Sequence, residues 1–210
     1  AFILTLMLTP ALGKLIPPLP TSAITLFLLI ISEILIGIFI ASICKVLISV
    51  THIVGTILSL QSGISSAVVF DVTQRTQGSL IGNLLGIVAV TLLFATGLHH
   101  LMLRGIAESY TAFAPGKLPP LKDFVEIYSH LVSQIFIISV QISAPLVIIG
   151  TLLFLAGGVI GRLMPSMQVF SVITAPQLMI GFFIIITTFS AMMLWYMDFY
   201  KDTLTDFFKF

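Results

Sequence analysis

The sequence predicts an all-α membrane protein built of helical hairpins with kinked and broken helices. Of its 210 residues, 58% are hydrophobic and only 8% are charged, whereas ordinary globular domains carry about 25% charged residues. Apolar runs of membrane length follow one another along the chain, and prolines, glycines and charges interrupt them. The net charge is +1 and no cluster of lysines and arginines could neutralise several phosphates, so nucleic acid is excluded as a partner.

The first predicted elements lie before residue 70. A short helix over residues 1–9 ends at Pro10, and the prolines at positions 17, 18 and 20 impose a non-helical connection. The apolar stretch over residues 21–69 is too long for one crossing of a ~30 Å hydrocarbon core at about 1.5 Å per residue. It predicts a hairpin or two stacked helices that separate near residues 45–51. Because the chain starts inside an apolar run without methionine or a basic leader, we expect a further segment to precede it.

Three further helices are predicted after residue 78. The first covers residues 79–103 and is followed by a polar connection over residues 104–123 that contains prolines and glycine. The second covers residues 128–160, where Pro145 should remove one backbone hydrogen bond and kink the helix. The third covers residues 166–197 and ends in an aromatic and acidic tail. Lysines and arginines are spread over nearly every connection, so the positive-inside rule assigns no orientation.

A polar interruption at residues 61–78 separates two of the apolar segments and contains both an acid and a base. Irregular polar backbone between membrane-length helices must be buried in protein or face water, which makes a conduit the natural hypothesis. Asp71 and Arg75 are four residues apart and could pair in a helical turn. In a functional interpretation this segment is a gate, and Phe70 with the preceding valines is its apolar stopper. The alternative is an ordinary polar loop at the membrane face, and the residues alone leave both open.

Small residues recur at every fourth position on both sides of the interruption and again near residue 160. This spacing places them on one face of a helix, where the missing side-chain volume lets another backbone approach closely. Small residues are also common in membrane helices generally, but consecutive sets favour the interpretation as packing faces. The predicted packing residues are Gly55, Ser59, Gly63, Gly78, Gly82, Gly86, Gly157 and Gly161.

Glu33 is the most unusual titratable residue, because it is an isolated carboxylate within an apolar helix. Such a residue needs a partner or water and is a functional candidate by default. It could act in a proton relay or be satisfied by a neighbouring helix or subunit, and the second interpretation is favoured.

Motifs for catalysis and for cofactors do not occur in the sequence. His99 and His100 lack the i, i+4 spacing of a zinc site, so structural hydrogen bonding is expected of them. HExxH, GxSxG, P-loop and dinucleotide motifs are missing, and Cys44 is the only cysteine. No enzymatic activity, cofactor or metal site is therefore predicted.

The sequence Gly-Arg-Leu-Met-Pro-Ser-Met-Gln-Val-Phe at residues 161–170 is the most specific of several motifs that occur in order over nearly the whole chain. Taken together, these motifs resemble the FliR family of flagellar export-gate proteins and its injectisome relatives. Val72 departs from the family, which commonly has proline after the aspartate. Other matching segments are residues 33–37, 63–71, 97–100 and 109–116, with Pro145 and Pro176. The motif residues are Glu33, Gly37, His99, Arg162, Pro165, Gln168 and Phe170.

The resemblance implies a non-enzymatic core subunit of the type III protein export gate in the bacterial inner membrane, within the flagellar basal body. It implies that the chain assembles with FliP and FliQ into the channel for unfolded flagellar proteins, built as a helical assembly, and docks to FlhB and FlhA. It also implies a FliP-like part over residues 1–113 and a FliQ-like part over residues 122–210, in a single integrated membrane domain. Membership of a flagellar rather than an injectisome system is left open.

The resemblance further implies that residues 68–77 form the pore plug of the gate. A competing hypothesis is a stand-alone, proton-coupled secondary transporter that uses Glu33 and Asp71 as coupling carboxylates. The residues expected in the plug are Val68, Val69, Phe70, Asp71, Val72, Thr73, Gln74 and Arg75.

Overall fold

The computed structural model describes Thr9 and residues 22–64, 79–113, 121–163 and 169–207. Within these residues the chain forms helices and no strand, which confirms the all-α prediction. The plug residues Val68–Arg75 lie outside the described part, and so do residues 1–8 of the short helix expected over residues 1–9. The helices are α1 (Ala23–Gln61), α2 (Leu80–Ala95), α3 (Leu98–Ala112), α4 (Leu121–Leu163) and α5 (Val169–Phe207).

Three of these helices are long and apolar enough to cross a membrane, over Ala23–Gln61, Lys122–Leu163 and Ile173–Phe207. The pair α2 and α3 could form a fourth crossing with a bend inside it. This finding agrees with the prediction of a membrane protein from composition. At about 1.5 Å per residue, the 39 residues of α1 extend for about 58 Å, roughly twice the ~30 Å hydrocarbon core of a bilayer.

The predicted break of the first long helix near residues 45–51 is wrong, because α1 is continuous. No proline or glycine lies between Gly37 and Gly55, so nothing in this stretch removes a backbone donor or frees the backbone. The hydroxyls of Ser42 and Thr51 donate to the carbonyls three residues earlier, at 2.7 Å and 2.8 Å. These polar side chains are thereby satisfied within the helix and do not interrupt it.

The single helix predicted over residues 79–103 is also wrong, because α2 ends at Ala95 and α3 leaves it at an angle of 75°. Gly97 adopts the left-handed conformation, with φ 73° and ψ 9°, which residues with a side chain rarely adopt. The turn is closed by the Gly97 N–H, which donates to the Phe94 carbonyl at 3.2 Å. A single glycine therefore redirects the chain.

The polar connection predicted over residues 104–123 is helical over most of its length, so this expectation is corrected as well. Helix α3 continues to Ala112, and α4 begins at Leu121, seven residues earlier than the predicted start at 128. Arg104 and Glu108 form an exposed i, i+4 ion pair at 2.7 Å, which supports a polar helical surface. Polarity in this segment marks an exposed helix face and not a loop.

The last two helices are longer than predicted. Helix α4 continues through Pro145 to Leu163, and α5 extends through Pro176 to Phe207, so the aromatic and acidic tail is part of α5. A proline inside a helix removes one backbone hydrogen bond without necessarily ending a helix in an apolar environment.

The chain divides into two compact units. Unit 1 takes its described residues from the ranges Ala1–Leu47, Leu93–Val132 and Phe199–Phe210. Aromatic rings form its core: Phe39 stacks on Phe124 with centroids 3.7 Å apart, and Phe113 meets Phe124 edge-on at 5.4 Å. The hydroxyl of Tyr200, which is fully buried, donates to the Met102 sulfur at 3.2 Å.

Unit 2 comprises the described residues of Ile48–Leu92 and Ser133–Asp198. Its core combines aliphatic side chains with buried hydroxyls, and Ser62, Ser139 and Ser143 have no solvent exposure. Unit 2 also contains both described ends of the polar interruption. Its buried apolar residues include Val50, Val54, Leu58, Leu85, Ala89, Ile135, Ile142, Leu146, Met192, Met193 and Tyr196.

Candidate functional site

Both ends of the polar interruption are held by contacts within unit 2. The interruption, residues 61–78, begins at Gln61, the last residue of α1, and Ser79 alone separates it from α2. We call the residues around these two points the loop base. It consists of Gly55, Ser59, Gln61, Ser62, Gly63, Ser79 and Gly82, together with Gly150 of α4 and Gln177 and Gly181 of α5.

Ser79 fixes the end of the interruption to α1. Its hydroxyl donates to the Gly55 carbonyl at 2.8 Å. Since a hydroxyl has one proton, the 2.6 Å bond between Ser79 and Ser59 must be donated by Ser59. The Ser79 oxygen also accepts the Gly82 backbone N–H at 3.1 Å, the contact that an N-cap residue makes at the start of a helix. One side chain thus caps α2 and bonds it to α1.

Glycines bring α1 and α2 into backbone contact next to this network. A Cβ atom added to Gly55 would overlap the backbone of Gly82. Further along, a Cβ on Gly86 would lie 3.6 Å from the Thr51 hydroxyl, which is an ordinary van der Waals distance. The need for glycine is therefore strict at Gly55 and relaxed at Gly86.

The start of the interruption is held by α5. Gly63 has φ 77° and lies directly beyond the end of α1, a position where the left-handed conformation commonly ends a helix. The buried side chain of Gln177 donates through Nε2 to the Gln61 carbonyl at 2.8 Å. Carbonyls in the last turn of a helix lack a partner within the helix, so Gln177 supplies the missing donor.

The backbone of α5 also lies close to this point. A Cβ on Gly181 would be 2.8 Å from the Ser62 Cβ, and Ser62 itself is fully buried. The Gln61 side chain packs against Gly150 of α4, and no described residue donates to its buried Oε1. The loop base therefore retains one unused acceptor at the point where the interruption begins.

Four residues of the loop base were missed by the sequence analysis: Ser79, Gly150, Gln177 and Gly181. Gln177 carried a usable signal, because an amide inside an apolar helix needs a partner. The two glycines carried none, since isolated glycines are common in membrane helices. These two glycines differ from others in the residues that they contact, Gln61 and Ser62, which are about 90 to 120 positions away in the sequence. Sequence periodicity does not predict contacts over such distances, because they depend on the topology of the fold.

The remaining predicted packing residues lie on α4 or outside the described part. A Cβ on Gly157 would overlap the side chain of Ile173 on α5, so these helices are close at that point. Gly161 is half-buried in the last turn of α4, and Gly78 lies outside the described residues.

Of the motif residues near residue 165, only Arg162 has a described side chain. It is exposed in the last turn of α4, where a positive charge interacts favourably with the helix dipole. Pro165 and Gln168 lie outside the described residues. Phe170 belongs to α5, but its side chain is outside the described part.

Glu33, Gly37 and His99 belong to unit 1 and not to the loop base. The half-buried Glu33 carboxylate lies within hydrogen-bonding reach of the Tyr110 hydroxyl of α3. Gly37 is exposed, and a Cβ there would meet nothing within 4 Å. The His99 ring lies 4.9 Å from Phe94 and 4.0 Å from His100. Among the described residues, no group of His, Cys, Asp or Glu could hold a metal ion.

Comparison with known proteins gives consistent matches along the chain. The family model for bacterial export proteins, family 1, matches residues 1–203. The flagellar biosynthetic protein FliR of Caulobacter vibrioides is 28% identical over 204 residues, which cover 97% of this chain and 81% of that protein. FliR of Bacillus subtilis is 30% identical, with 78% of this chain and 64% of that protein covered. The Yop proteins translocation protein T of Yersinia pestis is 28% identical, with 80% and 64% covered.

Proposed function

This chain belongs to the bacterial export proteins, family 1, and from that premise we propose that it is a non-enzymatic core subunit of a flagellar type III protein export gate. The similarity to the flagellar protein FliR over 97% of the chain favours the flagellar system. The similarity to a Yop translocation protein supports export of proteins as the common role. Three helices long enough to cross a membrane agree with a place in the bacterial inner membrane, at the flagellar basal body.

The loop base is the observation that carries this proposal. A polar segment between two apolar helices can close a channel only if its ends are held in place. Here Ser79 is bonded to α1 at one end, and Gln177 of α5 is bonded to the Gln61 carbonyl at the other. We assign the role of plug to the segment between these points, with Phe70 and its neighbouring valines as the apolar stopper.

The proposed partners are FliP and FliQ, which form the gate together with this chain, and FlhB and FlhA, which dock to it. Residues 1–113 constitute the FliP-like part in this proposal, and residues 122–210 the FliQ-like part. The cargo is unfolded flagellar protein. The chain requires no cofactor in this role, since its contribution is to form and close the conduit.

The competing transporter hypothesis has no observation in its favour. Its two coupling carboxylates were Glu33 and Asp71. Glu33 has a partner in Tyr110, as expected of a structural carboxylate, and Asp71 lies outside the described residues. The family match is to export proteins along nearly the whole chain.

The test is deletion of residues 69–73 from the full chain, produced together with FliP and FliQ. We expect the membranes to leak small ions, because the stopper is lost while both anchored ends remain. A potential-sensitive dye in intact cells measures the leak, and co-purification with FliP and FliQ shows that the gate still assembles.

A matched control replaces exposed Leu60, which flanks the loop base on α1, by alanine. This variant should stay as tight as the parent. An assembled deletion variant without any leak would refute the plug assignment, and failure of the parent chain to co-purify with FliP and FliQ would refute the gate assignment.

A further inference from the structure

The last turns of α1 contact α2 and α5 in different ways within unit 2. Toward α2, the Ser79 side chain takes part in three hydrogen bonds, and the Gly55 and Gly82 backbones are too close to admit a Cβ on Gly55. Toward α5, a side-chain amide supplies the hydrogen bond, from Gln177 Nε2 to the Gln61 carbonyl at 2.8 Å. A neutral hydrogen bond adds little net stability, because water replaces it on opening. The contact with α5 is therefore the easier one to open.

Small side chains and an amide stem complete the contact of α1 with α4 and α5. The Ser62 hydroxyl donates its proton within α1, to the Ser59 carbonyl at 3.3 Å, so Ser62 meets Gly181 of α5 through carbon atoms. The Gln61 side chain packs against Gly150 of α4, and no described residue donates to its buried Oε1. Surfaces that meet in this way separate without the loss of a further hydrogen bond.

A proline lies close to each point where α4 and α5 hold the end of α1. Pro176 directly precedes Gln177, and Pro145 precedes Gly150 by five residues. Proline has no backbone N–H, so neither helix forms the bond from that position to the carbonyl four residues earlier. Helices bend where such a bond is missing. Both helices are therefore weakened in the turn next to their contact with α1.

A small apolar cavity between the helices of unit 2 gives α5 room to tilt. Helix α5 lines it with Met192, Met193 and Tyr196, and α1 lines it with Val50 and Val54 among others. Methionine side chains are flexible and adapt to irregular packing. Because protein interiors are otherwise close-packed, a void beside two methionines favours a small shift of α5 against α1 at low cost.

We propose that the end of α1 and the α4–α5 pair form a separable joint, which opens when the protein exports its cargo, while α1 and α2 stay in contact. The α1 joint consists of Gln61 and Ser62 with Gly150, Gln177 and Gly181. The proposal rests on the function proposed above, since it assigns a movement to export. It explains why one contact of α1 is made of backbone and several hydrogen bonds, and the other of an amide and small side chains.

A reversible disulfide tests whether the α1 joint must open. A Cβ on Gly150 would lie 3.4 Å from the Gln61 Cβ, close to the separation of about 3.5–4.5 Å found in disulfides. Cysteines at these two positions retain the Gln61 carbonyl that Gln177 binds. Cys44, the only native cysteine, is replaced by serine in every variant. We expect the oxidised Gln61→Cys/Gly150→Cys chain, produced with the other gate proteins, to secrete about tenfold less flagellar protein than after reduction with dithiothreitol.

The control disulfide joins α1 to α2 away from the α1 joint. A Cβ on Gly86 would lie 3.6 Å from the Thr51 hydroxyl, so Thr51→Cys/Gly86→Cys brings two thiols close together. This pair should export equally well when oxidised and reduced, with the disulfide verified on non-reducing gels. Normal export by oxidised Gln61→Cys/Gly150→Cys would overturn the proposal, and so would an equally strong block by the control disulfide.

Thiol labelling measures the opening without a disulfide. Ser62 at the α1 joint and Ser139 within α4 are both fully buried in unit 2. We expect maleimide to label Ser62→Cys about threefold faster in cells that export flagellar protein than in cells that produce none, because opening exposes the thiol. Ser139→Cys should be labelled equally slowly in both. Equal rates for Ser62→Cys, or an equal rise at Ser139→Cys, would also overturn the α1 joint.

These outcomes are distinct from failure of the proposed function. If the unmodified chain neither supports secretion nor co-purifies with gate proteins, the proposed function fails. If it does both, but the disulfide and the labelling show no opening, only the α1 joint fails. If reduced Gln61→Cys/Gly150→Cys itself does not export, the labelling comparison decides.

Discussion

The interior of unit 1 and the interior of unit 2 are stabilised by different kinds of contact. In unit 1, large aromatic side chains meet face to face and edge-on, as Phe39, Phe124 and Phe113 show. In unit 2, backbones approach through glycine, as at Gly55 and Gly82, and hydroxyls bond across the gap. A large side chain can be replaced by a somewhat smaller one at modest cost, but a glycine in backbone contact can accept no added atom. The less tolerant unit is the one that holds the ends of the polar interruption.

The largest effect is expected from Gly55→Ala in unit 2. The new Cβ would overlap the Gly82 backbone, so α1 and α2 must separate, and we expect a loss of about 3 kcal/mol in the free energy of unfolding. Denaturant titration of the full chain in detergent measures it. Gly86→Ala is the control, because its Cβ has ordinary room, and it should be neutral or slightly stabilising. Equal stability of the two variants would contradict the backbone contact at Gly55.

Ser79→Ala should have the next largest effect, with a loss of about 1–2 kcal/mol. The substitution removes the cap of α2 and its bond to the Gly55 carbonyl, while Ser59 can turn its hydroxyl to another acceptor. Amide hydrogen exchange should accelerate most at Gly82, whose N–H loses its acceptor. Ser79→Thr retains the hydroxyl and should preserve most of the protection. Unchanged exchange at Gly82 in the alanine variant would show that Ser79 does not cap this helix.

Phe124→Leu tests the more tolerant unit. Leucine keeps most of the buried volume but loses the stack on Phe39, so we expect the free energy of unfolding to fall by about 1 kcal/mol. This loss is well below the one expected when Gly55→Ala adds a single methyl group. The same denaturant titration measures both variants. A larger loss for Phe124→Leu than for Gly55→Ala would reverse the comparison between the two units.

Tyr110→Phe should give the smallest effect, with a loss of about 0.5–1 kcal/mol from its hydrogen bond to Glu33. Glu33→Gln keeps a hydrogen-bond acceptor and should restore most of the stability that Glu33→Ala loses. Protein export, measured as secreted flagellar protein, should be similar in the glutamine variant and the parent. Loss of export in a stable Glu33→Gln variant would favour a proton-relay role for this carboxylate.

Much of the helical content could be predicted from hydropathy, because a helix is the element that satisfies its own backbone in an apolar environment. The boundaries were less predictable. The break at Gly97 was missed because glycine is common within membrane helices and only its observed left-handed conformation reveals a turn. The continuity of α1 was missed because a break was assumed wherever an apolar segment is longer than the hydrocarbon core. A continuous helix can be longer than this core if part of it lies outside the lipid.

The candidate site was only partly predictable for a related reason. Four-residue spacing selects Gly55 and Gly82 as members of packing faces, but it does not pair them with one another. Gln177 acts on the carbonyl of Gln61, which is 116 residues away in the sequence.

The sequence by itself determined the class of protein, the polar interruption between apolar helices and the family resemblance, since composition, periodicity and motif order are local properties of the chain. The tertiary structure decided which glycines touch, which hydroxyl caps α2, and which amide holds the end of α1. These depend on pairs of residues far apart in the sequence, and contacts between them are set by how long helices pack.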